Sequence, residues 1–296
     1  MAPIFYLHTL KTILQHMNIK SISSSAVAMM VLGLSAFAIT SCGGGKNKGN
    51  TDKKDSTKAV AQQSGPGTPI KYDSSKRYIF LTWDDSPQPP GTDNCLNVFR
   101  QQGVKATFFS VGGNAFDPRR KRMIDTLRNA YPQFLLANHS WSHASNKYRQ
   151  FYANVDSAVR DFQKMQDTYK VPVKIIRLPG MNSWASHGEI SGQKTPEKVV
   201  KVLDSLGYNV IGWDIEWMQG KGSTPIQGAE QMAQMVQNKL DDGNTHEQNA
   251  LVILSHDRLF GKPQYADSLA KFISILKQDK RNVFETIDHY PSVQRK

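Results

Sequence analysis

The chain has 296 residues, which exceeds a typical single domain of roughly 100–150 residues but suits one α/β barrel of about 200–250 residues plus a tail. Its formal net charge of +12 favours acidic surfaces such as anionic lipid or glycan. The lysines crowded into residues 46–58 are not interleaved with aromatic residues, so we expect no nucleic-acid groove.

The first 41 residues are typical of an export signal. An apolar stretch at residues 26–38 is too short to cross a bilayer of about 30 Å but suits a secretory signal. Met17 is a candidate true start, because residues 17–20 already form a compact basic segment. Residues 39–42 resemble a bacterial lipoprotein processing box. We therefore expect cleavage before Cys42, a lipid on that cysteine, and a protein anchored to a membrane of the cell envelope.

Residues 42–76 form a predicted flexible linker, because they are rich in Lys, Gly, Asn, Ser and Thr and poor in apolar side chains. The catalytic domain is then expected at residues 77–296. Apart from Cys42 the sequence contains only Cys95, so an internal disulfide is excluded. Cys95 lies in an apolar helical pattern and is interpreted as a small buried side chain without chemistry.

After the linker, short apolar runs alternate with amphipathic stretches, which is the pattern of βα units around a parallel sheet. Seven predicted strands occupy residues 79–83, 106–111, 134–138, 174–177, 209–213, 251–255 and 283–287. Predicted helices fill residues 93–102, 119–130, 155–169, 196–206, 229–240 and 265–277. Gly103 and Gly207 stand where two of these helices would end.

Polar residues follow the predicted strands directly. They are Asp84, Asp85, His139, His143, Arg177, Asp214, Glu216 and His256. In a closed or nearly closed parallel barrel all strands end at the same face, which is where such folds place their chemistry. The sequence therefore predicts that these side chains converge.

The two histidines and the paired aspartates indicate a metal site with its own base. His139 and His143 are four residues apart, a spacing that brings two imidazoles to one side of a helical turn. Two adjacent carboxylates raise each other's pKa, so one is expected to bind metal and the other to move protons. Zinc is the preferred ion, although cobalt, nickel or iron also accept two imidazoles and a carboxylate with open positions.

Five segments in a fixed order resemble the motifs of one family. They are residues 82–87 (Thr-Trp-Asp-Asp-Ser-Pro), 106–112 (Ala-Thr-Phe-Phe, then Val-Gly), 138–143 (Asn-His-Ser-Trp-Ser-His), 177–180 (Arg-Leu-Pro-Gly) and 254–257 (Leu-Ser-His-Asp). From about Arg77 to Tyr290 the chain thereby resembles the polysaccharide deacetylases of the NodB-homology group, carbohydrate esterase family four. This resemblance implies an α/β fold of the NodB-like deacetylase type, a distorted (β/α)7-type barrel.

The resemblance also implies a role for each matching residue. Asp85, His139 and His143 would hold a divalent metal. Asp84 would be the general base, kept ionised and oriented by Arg177, and His256 would return a proton to the leaving group. The backbone N–H of Gly180 would help to stabilise the oxyanion.

The sequence also departs from the family pattern. Ser86 replaces a glycine and Trp83 a phenylalanine, which concerns the turn after the first strand. The fourth motif, residues 213–217, is short, so either Asp214 or Glu216 would pair with His256; Asp214 is preferred because it lies just past the strand end. Three tryptophans near strand ends would either stack on sugar rings or pack in the core, namely Trp141, Trp184 and Trp217.

These observations predict a metal-dependent deacetylase that removes N- or O-acetyl groups from a polysaccharide such as peptidoglycan, a chitin-like chain or xylan. One alternative is a glycan-binding lipoprotein that has lost turnover. Ser86 and the short fourth motif support this alternative. Another is a hydrolase of phosphoesters, but such a centre more often needs two metals about 3.5–4 Å apart, and the sequence offers one complete ligand set.

Overall fold

The computed structural model of the protein describes residues 65–295. The predicted export signal, Met17 and the lipidated Cys42 lie outside these residues, as does most of the predicted linker. Among the residues described, no helix combines the length and the apolar character that crossing a bilayer requires.

A mixed sheet forms the centre of the fold. Its strands are β1 Arg77–Ser86, β2 Ala106–Ser110, β3 Phe134–Asn138, β4 Ile175–Ile176, β5 Ser183–Ser186, β6 Glu189–Gly192, β7 Asn209–Val210, β8 Ile215–Glu216, β9 Ala250–His256 and β10 Asn282–Glu285. Their spatial order is β6-β5-β7-β4-β3-β2-β1-β9-β8, and β10 pairs with the first half of β1. All pairings are parallel except those of β5 with β6 and with β7.

Helices cover the sheet between these strands. They are α1 Gly91–Gln102, α2 Pro118–Arg128, α3 Tyr148–Ala153, α4 Val155–Tyr169, α5 Glu197–Ser205, α6 Ala229–Asp241, α7 Pro263–Leu276 and α8 Pro291–Gln294. Gly103 ends α1 in the left-handed conformation, at φ 63°, as the sequence predicts. Cys95 is fully buried in α1, in agreement with its predicted packing role.

Burial explains why β1 lies at the middle of the sheet. Nine of its ten residues are buried, which fits a parallel strand covered on both faces. One apolar layer, between the sheet and the helices, includes the edge-to-face rings of Phe99, Phe108 and Phe134. On the opposite face Phe80 packs against Tyr290. The ends of the strands are therefore held in place by core on both sides.

The predicted distorted α/β barrel is confirmed, and its distortion has a structural basis. Each of the seven predicted runs coincides with a strand. Three short strands were not predicted: the β5–β6 hairpin and β8. The strand order runs from β6 to β8, and within residues 65–295 these two ends do not pair with each other, so the sheet is an incomplete barrel.

Contacts of the folded unit extend before residue 77, the predicted start of the catalytic domain. The backbone N–H of Gly67 donates to Asp288 Oδ2 (2.9 Å), and that of Ile70 donates to Gln294 Oε1 (2.6 Å). These bonds attach the end of the predicted linker to the last helix and the turn before it. Proline and glycine at residues 65–69 are typical of a loop, and the sequence carries no signal that such a loop would be docked.

Candidate active site

Asp84 and Asp85 reach the same site because β1 is irregular where they occur. Neighbouring side chains of a regular strand point to opposite faces of the sheet. The pairing of β1 with β2 shifts between Asp84 and Ser86, and Asp85 adopts a left-handed φ of 71°. This bulge turns the Asp85 carboxylate toward the end of the sheet, beside Asp84. Asn114 stabilises it by donating from Nδ2 to the backbone oxygen of Asp85 (2.7 Å).

Ser86 fits this bulge despite replacing a glycine. It is buried, and its hydroxyl lies 2.6 Å from that of Ser110 on β2. Trp83 points into the apolar layer, where its ring meets Phe99 edge-on. Neither departure from the family pattern disturbs the paired aspartates.

The two predicted histidines are also brought together, although not by a helical turn. His139 follows β3, and His143 begins a 3₁₀ turn whose residues have positive φ, His143 itself at 49°. The carboxylate of Asp161 on α4 fixes the intervening loop by accepting the backbone N–H groups of Trp141 and Ser142. The imidazole centroids lie 5.1 Å apart. The spacing therefore predicted the proximity of the two rings correctly and the local backbone wrongly.

Asp85, His139 and His143 together can hold a metal ion. One ligand atom from each lies within 4.8 Å of the others. Asp85 Oδ1 is 3.2 Å from His143 Nε2 and 3.6 Å from His139 Nε2, and it is buried without a hydrogen-bond donor among the described residues. A buried carboxylate oxygen facing two imidazole nitrogens fits a cation bound between them.

The tautomer of His139 suits this role. Its Nδ1 lies 2.8 Å from the carbonyl oxygen of Arg177, which can only accept a hydrogen bond. Nδ1–H therefore donates, and the Nε2 lone pair is left for a metal. Burial lowers the pKa of His139 to about 4, so the ring is neutral near pH 7, as a ligand must be.

Asp84 remains outside the metal triad and is held by a fully buried arginine. Arg177 Nη1 donates to Asp84 Oδ1 (2.9 Å) and to Thr82 Oγ1 (2.6 Å), and its remaining nitrogens donate to backbone carbonyls of residues 211 and 212. Asp84 Oδ2 lies 3.4 Å from His139 Nε2. Burial raises the pKa of Asp84, while the Arg177 guanidinium opposes that rise. A carboxylate with a raised pKa is a stronger base than a solvated one.

Asp85 is the more acidic of the two carboxyl groups. Burial alone would raise its pKa, but His139, His143, His256 and Arg258 together lower it to about 2. The surroundings of the paired aspartates thus raise the pKa of Asp84 and lower the pKa of Asp85. This difference matches the predicted division between a metal ligand and a base.

His256 is placed as predicted, but its predicted partner is not. It ends β9 in register with Asp84, and its Nε2 lies 3.9 Å from Asp85 Oδ2. Asp214 accepts the backbone N–H groups of Val252 (2.7 Å) and His246 (2.6 Å) instead. The predicted Asp214–His256 pair is therefore wrong, because both Asp214 oxygens join β9 to the loop before it.

Glu216 does not supply the missing partner either. It is half-buried at the end of β8, and burial together with nearby Asp84 raises its pKa. Nδ1 of His256 is buried and makes no hydrogen bond to any of residues 65–295. Burial lowers the pKa of His256 to about 4, so the ring is neutral near pH 7 until negative charge develops beside it.

The tryptophans predicted to bind sugar lie mostly in the core. Trp217 is fully buried and packs against Phe260 and Phe272, and Trp184 is buried against His246 and Tyr290. For both, stacking on a substrate is ruled out by burial. Their position after strands did not distinguish a ring facing the site from one facing the helices.

Trp141 is half-buried and also engaged by protein. A Cβ added to Gly112 would stand 2.5 Å from its ring, which shows how closely that glycine packs beneath it. The Lys164 ammonium lies 4.0 Å from the ring centroid. The predicted sugar contact is therefore not supported for Trp141.

Gly180 lies at the edge of the site, in a left-handed conformation with φ 65°. A Cβ at this position would stand 3.0 Å from the Tyr148 ring, which faces His143. The N–H of Gly180 donates to no acceptor in the part of the chain described. Its role as an oxyanion donor remains a prediction.

Arg258 is a site residue that the sequence analysis missed. It lies in the 3₁₀ turn after β9, and its Nη1 donates to Asp85 Oδ2. The triad opens into a pocket of about 480 Å³ whose lining includes Arg258, Gln219 and Tyr148. A signal for Arg258 was available, because it stands two residues after His256 and past the same strand end.

Comparison with known proteins agrees with this geometry. The family model for polysaccharide deacetylase matches residues 71–211. A peptidoglycan-N-acetylglucosamine deacetylase of Bacillus cereus is 24% identical over 209 residues, covering 69% of this chain and 84% of that protein. A chitin disaccharide deacetylase of Vibrio alginolyticus is 23% identical over 311 residues, covering 73% of this chain and 72% of that protein.

The fold is shared with a solved structure as well. The catalytic domain of a peptidoglycan N-acetylglucosamine deacetylase from Eubacterium rectale superposes with a TM-score of 0.55 at 24% identity, over 76% of this chain and 95% of that domain. The matched region of the family model contains the paired aspartates, both histidines and Arg177. Residues 71–211 of this chain therefore belong to a polysaccharide deacetylase domain.

Proposed function

We propose that the protein is a metal-dependent hydrolase that removes acetyl groups from a polysaccharide. The main support for this proposal is that two separate groups of residues lie together at the end of β1. One is the triad of Asp85, His139 and His143, with ligand atoms within 4.8 Å of one another. The other is Asp84, buried beside the triad and bound to Arg177.

The residues present fit a single divalent cation, preferably zinc. Two imidazole nitrogens and one carboxylate oxygen leave coordination positions free, as catalytic rather than structural sites do. Such an ion would supply Lewis-acid chemistry, which polarises an acetyl carbonyl and makes water more acidic. Cobalt, nickel or iron would satisfy the same ligands.

Asp84 is the base in this proposal. Its Oδ1 is occupied by Arg177, whereas Oδ2 faces the triad, 3.4 Å from His139 Nε2. Oδ2 is therefore the oxygen that accepts a proton from the attacking water. Arg177 fixes the direction of the carboxylate and favours its ionised form, which opposes the rise in pKa that burial causes.

His256 is the proton donor to the leaving group. Its Nε2 lies 3.9 Å from Asp85 Oδ2, whereas the two histidine ligands approach Asp85 Oδ1. Because the ring is neutral near pH 7, we propose that it takes up a proton from solvent as negative charge develops in the reacting complex and passes that proton to the leaving amine or alkoxide. The backbone N–H of Gly180 is the further donor proposed for the oxyanion.

The substrate proposed is an N-acetylated glycan of the peptidoglycan or chitin type, since the two sequence relatives compared are named for such substrates. O-acetylated glycans such as xylan use the same site chemistry. The export signal and the lipid on Cys42 would place the enzyme at a membrane of the cell envelope, where glycans are accessible.

Acetate release from defined glycans tests this proposal. Metal-free protein is titrated with zinc and incubated with chitotetraose, peptide-free peptidoglycan strands and acetylated xylan. We expect acetate from at least one glycan, in proportion to bound metal. Tight glycan binding without acetate at full metal occupancy would instead support a binding protein that has lost turnover.

A further inference from the structure

Arg258 occupies a position that its contact with Asp85 does not fully explain. Its Nη1 donates to Asp85 Oδ2, and its Nε donates to Gln219 Oε1. Within residues 65–295 its Nη2 donates to no group, and the side chain keeps 34% of its surface exposed. Two of its three nitrogens thus fix the plane of the guanidinium, and the third is left facing the pocket.

The two oxygens of Asp85 divide their contacts between the triad and Arg258. Oδ1 faces the Nε2 atoms of His139 and His143, while Oδ2 accepts from Arg258. The Arg258 guanidinium therefore contacts the Asp85 oxygen that does not face the histidines. It lies beside the site where an acetyl group would be held, and it is not a metal ligand. A substrate group beside that acetyl comes within its reach.

The lining of the pocket beside Arg258 carries little negative charge, and the nearby acids Glu216 and Asp257 are not part of that lining. Among the residues lining its pocket of about 480 Å³, Asp85 is the only acid. A wider groove of about 940 Å³ continues from this pocket, since Asn146 and Tyr148 line both. The groove is lined by Lys147 and Arg149 and by no acid.

We infer that Arg258 is a specificity residue that selects an acetylated glycan bearing a carboxylate on the acetylated sugar or its neighbour. The inference rests on the proposed deacetylase function and names its substrate class. A planar guanidinium already oriented by two acceptors loses little freedom on binding a carboxylate, and charge-assisted bonds of this kind are the strong ones. Lys147 and Arg149 would favour further carboxylates along the same chain.

Matched pairs of glycans that differ only in charge test this assignment. One pair is a peptide-free peptidoglycan tetrasaccharide with its lactyl carboxylates free or methyl-esterified. The other is a tetrasaccharide of alternating glucuronic acid and N-acetylglucosamine, again free or esterified. We expect the wild-type kcat/KM for the free acid to exceed that for its ester by about ten- to a hundred-fold in at least one pair.

The Arg258→Gln variant should bring this ratio close to one, and Arg258→Lys should keep part of it. Arg281→Gln is the matched control, because it removes an exposed arginine just before β10, at the opposite end of the strands. Its ratio should equal that of the wild type. Metal content is measured for every variant, since Arg258 also contacts the Asp85 carboxylate.

A purely structural Arg258 would give a different result. If Arg258→Gln lowered kcat/KM equally for acid and ester, so that the ratio stayed at its wild-type value, Arg258 would only orient Asp85 and the inference would be overturned. A wild-type ratio near one in both pairs would overturn it too, while leaving the deacetylase function intact. If no acetate were released from these glycans, from chitotetraose or from acetylated xylan, both the proposed function and this inference would be overturned.

Discussion

Replacing Asp84 by asparagine separates its proposed role as base from the binding of metal. Asp84 is not part of the triad, and its Oδ1 is bound to Arg177 at 2.9 Å. The introduced amide has nearly the same shape, and its oxygen can still accept from Arg177. What it lacks is a basic lone pair on the atom that faces His139.

The expected loss of rate is large. General base catalysis by a positioned side chain contributes about 10²- to 10⁴-fold, so Asp84→Asn should lower kcat by that factor. The variant should also be less stable, because Arg177 is fully buried and loses its counter-charge. Breaking a buried ion pair costs about 3–5 kcal/mol, and the retained hydrogen bond favours the lower value. About 3 kcal/mol corresponds to a Tm lower by roughly 6–12 °C for a domain of this size.

Three measurements on the same preparation check this prediction: acetate release, zinc content and thermal unfolding. Asp214→Asn is a matched control, because Asp214 is half-buried and, within residues 65–295, its carboxylate binds only the backbone N–H groups of Val252 and His246. It should lose about 1–3 kcal/mol of stability, since an amide cannot accept both bonds in the same way, yet keep most of its turnover. Assays are run well below the Tm of both variants.

The reasoning would be refuted if Asp84→Asn kept near-normal kcat with normal zinc content. A proton acceptor other than Asp84 would then be required. Loss of zinc from Asp84→Asn would also contradict the division of roles between the paired aspartates.

Three further predictions concern the metal, pH and the anchor. Asp85→Ala or His143→Ala should abolish zinc retention by removing one of three ligands; full occupancy by elemental analysis would count against the assignment. The metal-free protein should lose more stability, or gain less, between pH 7 and pH 5 than its His139→Asn variant, because the pKa of His139 is about 4 when folded and the unfolded chain binds that proton at higher pH. Asp257, whose pKa is about 8 when folded, acts in the opposite direction in both proteins. His139 alone contributes about 1.4 kcal/mol per pH unit, and equal changes in the two proteins on urea unfolding at pH 7 and 5 would contradict this. Cys42→Ala should leave the protein unlipidated, and unchanged partitioning into detergent would argue against the anchor.

Much of the fold follows from the apolar pattern. All seven predicted runs overlap a strand, and in β1, β2, β3 and β9 consecutive residues are buried on both faces of the sheet. The β5–β6 hairpin was missed because β6 is mostly exposed and β5 reads Ser-Trp-Ala-Ser. β8 was missed because its one apolar residue, Ile215, stands between Asp214 and Glu216 and forms no apolar run. Such short strands are defined by their neighbours rather than by their own composition.

The side chains of the site were easier to predict than the backbone that presents them. Strand ends placed Asp84, Asp85 and His139 together without structural information. The left-handed φ of Asp85 and the 3₁₀ turn at His143 were not predictable, because only a few per cent of non-glycine residues take a positive φ, even though Asp and His do so more often than most. The tertiary fold imposes these conformations where the site needs them.

The failed pairing of Asp214 with His256 shows the limit of reasoning from position alone. His256 is the last residue of β9, and Asp214 lies four residues past β7 and directly before β8. The direction of a carboxylate after a strand depends on which backbone groups are unpaired nearby, and here two N–H groups take both oxygens of Asp214. The positions of these N–H groups are set only when the sheet has assembled.

The most direct test of the account is a zinc titration of metal-free protein with acetate release followed at each point. If Asp85, His139 and His143 form one catalytic metal site, activity should be absent without metal and rise linearly to a plateau at one zinc per chain. Acetate release that is unaffected by chelation, or a fully loaded protein that releases none from any acetylated glycan, would contradict it.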